Sequence, residues 1–276
     1  MRTETTPKRA NIWSMGAAYT RLEIVEDLSY PMTIVMQFLT ALFPVIVYYF
    51  IAQLVPARQP VGGDYYTFAA IGLAVAVVLQ SALSGFGRRL EVTQNQGTFE
   101  TMLVEPVPWM AVPVTLNIWR TVLGAIECGL ILLLGALLGA DLRLSGIPAF
   151  IALVFLGVLA CTAVGTLSAS LQVLAKRSAP IIALYGLAAS LLGGALFPVS
   201  NLPPWLEIFS YAVPHMYVIE GARHLLMVAP PTVKIFDPLE AVVALVVFNA
   251  VMFAVALPLF SRSLQFARKH GLLSGY

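Results

Sequence analysis

Long apolar stretches alternate with short polar segments along most of the chain. Six of these stretches are long enough to cross about 30 Å of hydrocarbon as α-helices. None shows the residue-by-residue alternation of a membrane β-strand, and helices satisfy their own backbone inside a bilayer. We therefore predict an all-α membrane protein with six transmembrane helices: Met32–Val55, Thr67–Phe86, Asn117–Gly139, Pro148–Leu174, Pro180–Phe197 and Leu239–Phe260.

The segment before the first apolar stretch has the pattern of an amphipathic helix. In Asn11–Tyr30 the apolar residues fall broadly on one helical face, and Arg21 and the acidic residues lie mostly elsewhere. Such a helix can lie in the membrane interface, and packing on the transmembrane helices fits the pattern equally well. We predict a single membrane domain over residues 1–276, made of this interfacial helix (1–30), the six-span bundle (31–261) and a cytoplasmic tail (262–276).

Composition and charge support a membrane protein and give it an orientation. Hydrophobic residues make up 59% of the chain and charged residues 11%, against about 45–50% and about 25% in soluble domains. Of the 16 Lys and Arg residues, only Arg58, Arg143, Arg223 and Lys234 fall on one side of the predicted bundle. The positive-inside rule then puts both termini in the cytoplasm. We expect the membrane to be the inner or plasma membrane of the cell. The net charge of +2 does not favour nucleic acid.

A proline-rich break follows the fifth apolar stretch. The sequence FPVSNLPPWL begins at Phe197 and contains Pro198, Pro203 and Pro204 before Trp205. Two short apolar segments come next, and neither is long enough to span. Broken helices at membrane depth are tolerated when they are buried in protein or line a wet cavity. We predict a re-entrant helical hairpin over Pro203–Ala229, on the outer side and between the fifth and sixth spans.

Three ionisable residues stand out inside the predicted membrane region. Glu220 and Arg223 are three residues apart in the hairpin, so they can pair on one helical face. Glu127 lies about two turns inside the third span, on the same face as Arg120, and an acid at this depth costs roughly 2.5–3.5 kcal/mol to insert. It is a candidate for a polar pathway lining. A structural pair with Arg120, or a hydrogen bond to a neighbouring helix, explains it as well.

The loop after the second span contains the pattern of a short amphipathic helix. A glycine break, a hydroxyl N-cap, an acidic first turn, an apolar face and two terminating prolines follow one another here: Gly97, Thr98, Phe99, Glu100, Met102, Leu103, Pro106 and Pro108. This helix either offers its apolar face to a partner protein or simply packs on the bilayer. The sequence contains no phosphate-binding loop, nucleophile elbow or metal-binding motif. We therefore predict no catalytic residue and no metal site.

Two blocks of sequence resemble the ABC-2 type permeases, the membrane subunits of one class of ATP-driven exporters. One block joins Glu91 to the GTFE of Gly97–Glu100, Leu103, Pro106 and Val107. The other is GGALFPVSNLPPWLEIFSYAVPHMYVIEGAR, which runs from Gly193 to Arg223. The likeness covers nearly the whole chain and departs from the family at Glu105, where many members carry a small or hydroxyl residue.

The resemblance implies a partner and a division of labour. Two six-span subunits are expected to form the pore, either as a homodimer or as a pair with a related permease. A separate ABC ATPase with ATP and Mg is expected on the cytoplasmic side. The residues expected to couple this chain to the ATPase are Glu91, Gly97, Thr98, Phe99, Glu100, Leu103 and Pro106. We assign the pathway or gate to Glu127, Phe197, Pro198, Pro203, Trp205, Glu220 and Arg223, with the hairpin closing the exit.

The apolar spans favour a hydrophobic or amphipathic cargo, such as a drug, an antibiotic or a lipid-like molecule. The expected subtype is a drug-resistance-like exporter. An exporter of lipid-linked glycan is the alternative within the family. An ion-coupled secondary transporter is the alternative from another class, and it calls for more intramembrane acids than Glu127 alone.

Overall fold

The computed structural model describes residues 12–54, 64–97, 112–175, 179–229 and 237–269. Over these residues every regular element is a helix, apart from an isolated β-bridge between Leu142 and Met227. The α-helices are α1 (Ile12–Ser29), α2 (Pro31–Leu54), α3 (Tyr65–Asn95), α4 (Val112–Thr115), α5 (Ile118–Leu137), α6 (Ile147–Ala175), α7 (Ala179–Leu192), α8 (Pro204–Ser210), α9 (Pro214–Leu226) and α10 (Pro238–Lys269), with 3₁₀ turns at Leu144–Gly146 and Val199–Asn201. The predicted all-α class is confirmed.

Five of the described helices are long and apolar enough to cross a membrane: α2, α3, α5, α6 with the 3₁₀ turn before it, and α10. The chain is therefore a multi-pass membrane protein. Helix α7, which corresponds to the predicted fifth span, has only 14 residues and is about 21 Å long. Since the hydrocarbon core is about 30 Å thick, the count of six spans stays a prediction.

Helix α7 ends in a Schellman motif, five residues before the predicted boundary at Phe197. Gly194 takes a left-handed conformation with φ of +69°. Its N–H donates to the Leu191 carbonyl, and the Ala195 N–H donates to the Ser190 carbonyl, both at 3.1 Å. These bonds satisfy the last carbonyls of the helix. The helix therefore ends at a glycine and not at the prolines that follow.

Helix α3 is the buried axis of the molecule. Its 31 residues make a rod of about 46 Å, and it packs against α2, α5, α6, α7 and α9. The helix begins at Asp64, whose Oδ1 accepts a hydrogen bond from the Tyr66 N–H at 3.1 Å. It ends before Gly97, which has a φ of +68°.

The predicted hairpin contains two helices, α8 and α9, and α9 is buried deep in the bundle. Helix α9 runs antiparallel to the first half of α6. A Cβ built on Gly221 would lie 2.6 Å from Leu153, and one on Gly157 would lie 2.5 Å from Val218. These glycines let the two backbones approach closely. The start of α9 therefore lies beside the middle of α6, and re-entry into the bilayer stays a prediction.

Helix α1 packs on the bundle through its acidic side. Glu23 is buried, whereas Leu22, Val25 and Leu28 are exposed. The helix contacts α2, α4 and α5. The packing that the sequence left open is therefore observed. Tyr19 packs against the bundle, whereas the exposed Leu22, Val25 and Leu28 point away from it, where an interfacial helix would meet lipid.

Candidate functional site

Arg223 of α9 lies where α3, α7 and α9 meet, and its side chain is wholly buried. Its Nη2 donates to the carbonyls of Gly194 at 2.8 Å and Ala195 at 2.9 Å. Its Nη1 lies 2.9 Å from Glu220 Oε1, as the spacing of the two residues predicts. Its Nε donates to the Phe68 carbonyl at 3.4 Å. We call Arg223, Glu220 and these three carbonyl groups the Arg223 cluster.

The surroundings of the Arg223 cluster compensate for burying a charge. A buried guanidinium needs an opposite charge and a full set of hydrogen bonds, and Glu220 supplies the charge. The Gly194 and Ala195 carbonyls lie at the negative end of the α7 dipole. The guanidinium carbon also lies 3.3 Å above the centre of the Phe68 ring, which adds a cation–π contact.

Gly72 makes room for this cluster, and Gly193 makes room for the neighbouring His215. A Cβ on Gly72 would lie 1.9 Å from the Ala195 carbonyl oxygen and 2.7 Å from Arg223 Nη2. A Cβ on Gly193 would lie 2.7 Å from the Cβ of His215. The sequence analysis did not single out Gly72, because a glycine inside an apolar helix gives no sign of what approaches it.

His215 is a buried polar residue whose importance is not visible in the sequence pattern. It is fully buried at the start of α9, and its ring meets Tyr185 of α7 edge-on, with the centroids 6.5 Å apart. Neither ring nitrogen has a hydrogen-bond partner in the described part of the chain. His215 thus links α9 to α7 by packing.

The remaining residues of the predicted gate lie along the connection from α7 to α8. Phe197 and Pro198 are half-buried, and Pro198 precedes the 3₁₀ turn. Pro203 caps α8, and Trp205 is 65% exposed. The structure therefore joins Glu220 and Arg223 to the end of α7, whereas Pro203 and Trp205 lie exposed at the start of α8.

Glu127 is bound to a neighbouring helix and not to Arg120. Its Oε1 accepts a hydrogen bond from Gln37 Nε2 of α2, and the residue is buried. Arg120 pairs instead with Asp27 of α1 at 3.3 Å. Arg120 and Glu127 are seven residues apart, or about 10 Å along the helix. The Asp27 carboxylate of α1 lies closer to Arg120 and pairs with it instead. The pathway role of Glu127 stays a prediction.

Helix α1 is attached to α3 and α5 by a cluster of charges, which we call the α1 clamp. Arg89 Nη1 of α3 donates to Glu26 at 2.7 Å, and Arg89 Nε lies 3.8 Å from Glu23. On α5, the Trp119 indole donates to Asp27 at 2.7 Å, beside the Arg120 pair. Burial raises the pKa of Glu23 from 4.5 to about 7, although the nearby Arg89 favours the charged form.

The predicted coupling segment begins close to the α1 clamp. Gly97 is exposed and follows Arg89 by two helical turns. Glu91 is half-buried in a cleft of about 330 Å³ between α3 and α7, together with Ser84 and Arg88. The other predicted coupling residues lie outside the described residues: Thr98, Phe99, Glu100, Leu103 and Pro106.

A comparison with known protein families gives one match. The model of a family described as ABC-2 type transporter matches residues 21–227. This range covers about three quarters of the chain, from the middle of α1 to the end of the hairpin, and includes both the α1 clamp and the Arg223 cluster. A search of curated proteins gave no match.

Proposed function

Because the chain belongs to the ABC-2 type transporter family, we propose that it is the permease subunit of an ATP-driven exporter. Two permease copies form the translocation pathway in the inner or plasma membrane. A separate ABC ATPase binds ATP and Mg on the cytoplasmic side and hydrolyses the nucleotide. This chain then supplies the pathway and the gate, and both of its termini are cytoplasmic.

One observation carries this proposal: a single buried helix connects the predicted coupling segment to the predicted gate. At one end of α3, Arg89 is held by Glu26 of the α1 clamp, and Gly97 opens the GTFE segment. At the other end, the Phe68 carbonyl accepts a hydrogen bond from Arg223. A displacement of the GTFE segment by an ATPase therefore acts on a rod that reaches the hairpin.

The Arg223 cluster moves as a unit in this mechanism. Removing one partner from a buried ion pair costs about 3–5 kcal/mol, because the remaining charge has no partner. Movement of α3 away from Arg223 would break the hydrogen bond from Arg223 to the Phe68 carbonyl. We therefore propose that the start of α3, the end of α7 and α9 shift together as a rigid body, and that this shift opens the exit.

The proposed cargo is a hydrophobic or amphipathic molecule of the drug, antibiotic or lipid type. The described spans present mostly apolar side chains, and the cleft between α3 and α7 adds a small polar patch around Ser84, Arg88 and Glu91. An amphipathic molecule needs both kinds of surface.

Reconstitution tests the proposal. The chain is placed in proteoliposomes alone, and separately with the ATPase that co-purifies with it from its native membrane, and the movement of a fluorescent amphipathic dye is followed. We expect ATP-dependent uphill movement only when both proteins are present. Sustained uphill movement by the chain alone, driven by a proton or sodium gradient, would instead establish a secondary transporter.

A further inference from the structure

An apolar groove lies between α5 and α6, and it shares no lining residue with the Arg223 cluster or the α1 clamp. Its volume is about 460 Å³, within the range of pockets that hold small molecules. Leu133 of α5 and Ile151 of α6 are among the walls, and Val78 of α3 lies at the floor. Both helices pack extensively on α3 but not on each other, and this gap is the groove.

Small residues on α5 keep the groove open. Ala125, Gly129 and Ala136 all line it, at a spacing that puts them on one face of the helix. A Cβ built on Gly129 would meet no atom within 4 Å. Neighbouring atoms fill the space beside Gly72 and Gly193, whereas Gly129 faces empty space.

A cation is held at the mouth of this apolar space. Arg143 lines the groove where α5 connects to α6. Its backbone N–H donates to the Leu226 carbonyl at 2.6 Å, and its Nη2 donates to the Val228 carbonyl at 3.2 Å. The side chain is exposed, and it forms no ion pair with the neighbouring Asp141. Among the described residues, Val228 is the one acceptor bonded to the guanidinium, and the other N–H groups can pair with a ligand.

We propose that this groove binds an anionic amphiphile. The carboxylate or phosphate of the ligand pairs with the Arg143 guanidinium, which favours bidentate contacts with such groups. The alkyl chain of the ligand lies along Gly129 between α5 and α6, where it fills the empty space and gains van der Waals contacts. The occupant is a resident anionic phospholipid, because both walls of the groove are helices able to span the membrane and Arg143 offers a cation to the lipid phosphate. The site lies within one chain and does not depend on the exporter proposal.

Native mass spectrometry of the purified full chain tests this site. The protein is titrated with phosphatidylglycerol and with phosphatidylcholine of the same acyl chains. We expect the wild type to prefer phosphatidylglycerol and Arg143→Gln to lose that preference by about tenfold or more, because a charge-assisted contact is lost. Arg143→Lys should retain part of it. Arg21→Gln, which removes an exposed cation from α1, is the matched control and should behave as the wild type.

Filling the groove is the second measurement. Gly129→Phe should weaken the binding of both lipids, whereas Leu184→Phe on the exposed surface of α7 should weaken neither. Ala125→Leu narrows the same groove and replaces Gly129→Phe if that variant unfolds. An unchanged lipid preference in Arg143→Gln, or undiminished binding in the folded groove variants, would overturn the proposal.

The lipid that the protein retains after purification identifies the ligand. Phosphatidylglycerol retained by the wild type from its own membrane, and missing from Gly129→Phe, identifies a resident lipid. A groove that is empty after purification and binds palmitate but not phosphatidylglycerol would overturn the phospholipid site and favour a single-chain ligand. Since no ATPase is present, failure of these measurements leaves the exporter proposal intact, and failure of dye transport leaves this site intact.

Discussion

At the scale of single residues, Arg223 joins three helices because its bonds go to different elements. Glu220 belongs to α9, Gly194 follows α7, and Phe68 opens α3. A lysine has one ammonium group and does not have the planar, five-donor geometry that reaches such separated acceptors. The arrangement also depends on a residue without a side chain, since Gly72 leaves the space that the Ala195 carbonyl occupies.

We expect Gly72→Ala to destabilise the folded protein by about 1–3 kcal/mol, the usual cost of overpacking. The new methyl group would lie 1.9 Å from the Ala195 oxygen, so α3 or the end of α7 must shift. Gly129→Ala is the matched control, because it is also inside an apolar helix but meets no atom within 4 Å. Thermal unfolding in detergent should separate the two variants. Equal unfolding temperatures would show that the contact carries no strain.

At the scale of the elements, α1 shows what amphipathic periodicity can and cannot predict about a helix. The pattern predicted an apolar face and a polar face, but the structure divides the apolar face: Tyr19 packs against the bundle, whereas Leu22 and Val25 are exposed. The periodicity alone did not decide which face meets the protein. The α1 clamp decides it, because Arg89 and Arg120 pair with the acidic residues and the Trp119 indole donates a hydrogen bond to Asp27, which leaves Leu22, Val25 and Leu28 outside.

The α1 clamp makes stability depend on pH through Glu23. Its pKa is about 7 in the folded protein, against 4.5 ordinarily. Below pH 4.5 the carboxyl is protonated in both folded and unfolded states. As the pH rises from 4.5 to 7, the folded state holds the proton longer, so the free energy of unfolding falls. The loss amounts to about 3 kcal/mol at most.

Glu23→Gln should remove this dependence, because glutamine stays neutral while Glu26 still holds Arg89. Unfolding temperatures of both proteins between pH 5 and 8 provide the measurement. The wild type should lose stability relative to Glu23→Gln as the pH rises towards 7, and the difference should then stay constant. Parallel curves throughout this range would mean that Glu23 titrates normally.

At the scale of the whole molecule, α3 makes the fold suitable for transmitting force. The helix is buried along most of its length, so it cannot bend without disturbing the helices packed on it. The α1 clamp holds the end of α3 that contains Arg89, and the Arg223 cluster holds the end that contains Phe68. The proposed ATPase contact at the GTFE segment follows directly after this rod.

We expect Phe99→Ala or Glu100→Ala to uncouple ATP hydrolysis from transport. Each removes a side chain from the segment proposed to contact the ATPase, and neither position lies in the described bundle. Dye transport by the reconstituted complex should fall by about tenfold, the effect of losing roughly 1.4 kcal/mol of coupling. The amount of protein in the membrane should stay the same. Normal transport and ATPase binding in both variants would count against this role for the segment.

The sequence by itself determined the features that depend on neighbouring residues. Apolar runs specify membrane helices, the glycines and prolines after α7 specify a break, and a spacing of three residues pairs Glu220 with Arg223. The tertiary structure alone decided contacts between distant residues. Gln37 meets Glu127 across 90 positions, and Arg223 meets Phe68 across 155. Periodicity describes one helix at a time, whereas these contacts depend on how the helices pack around α3.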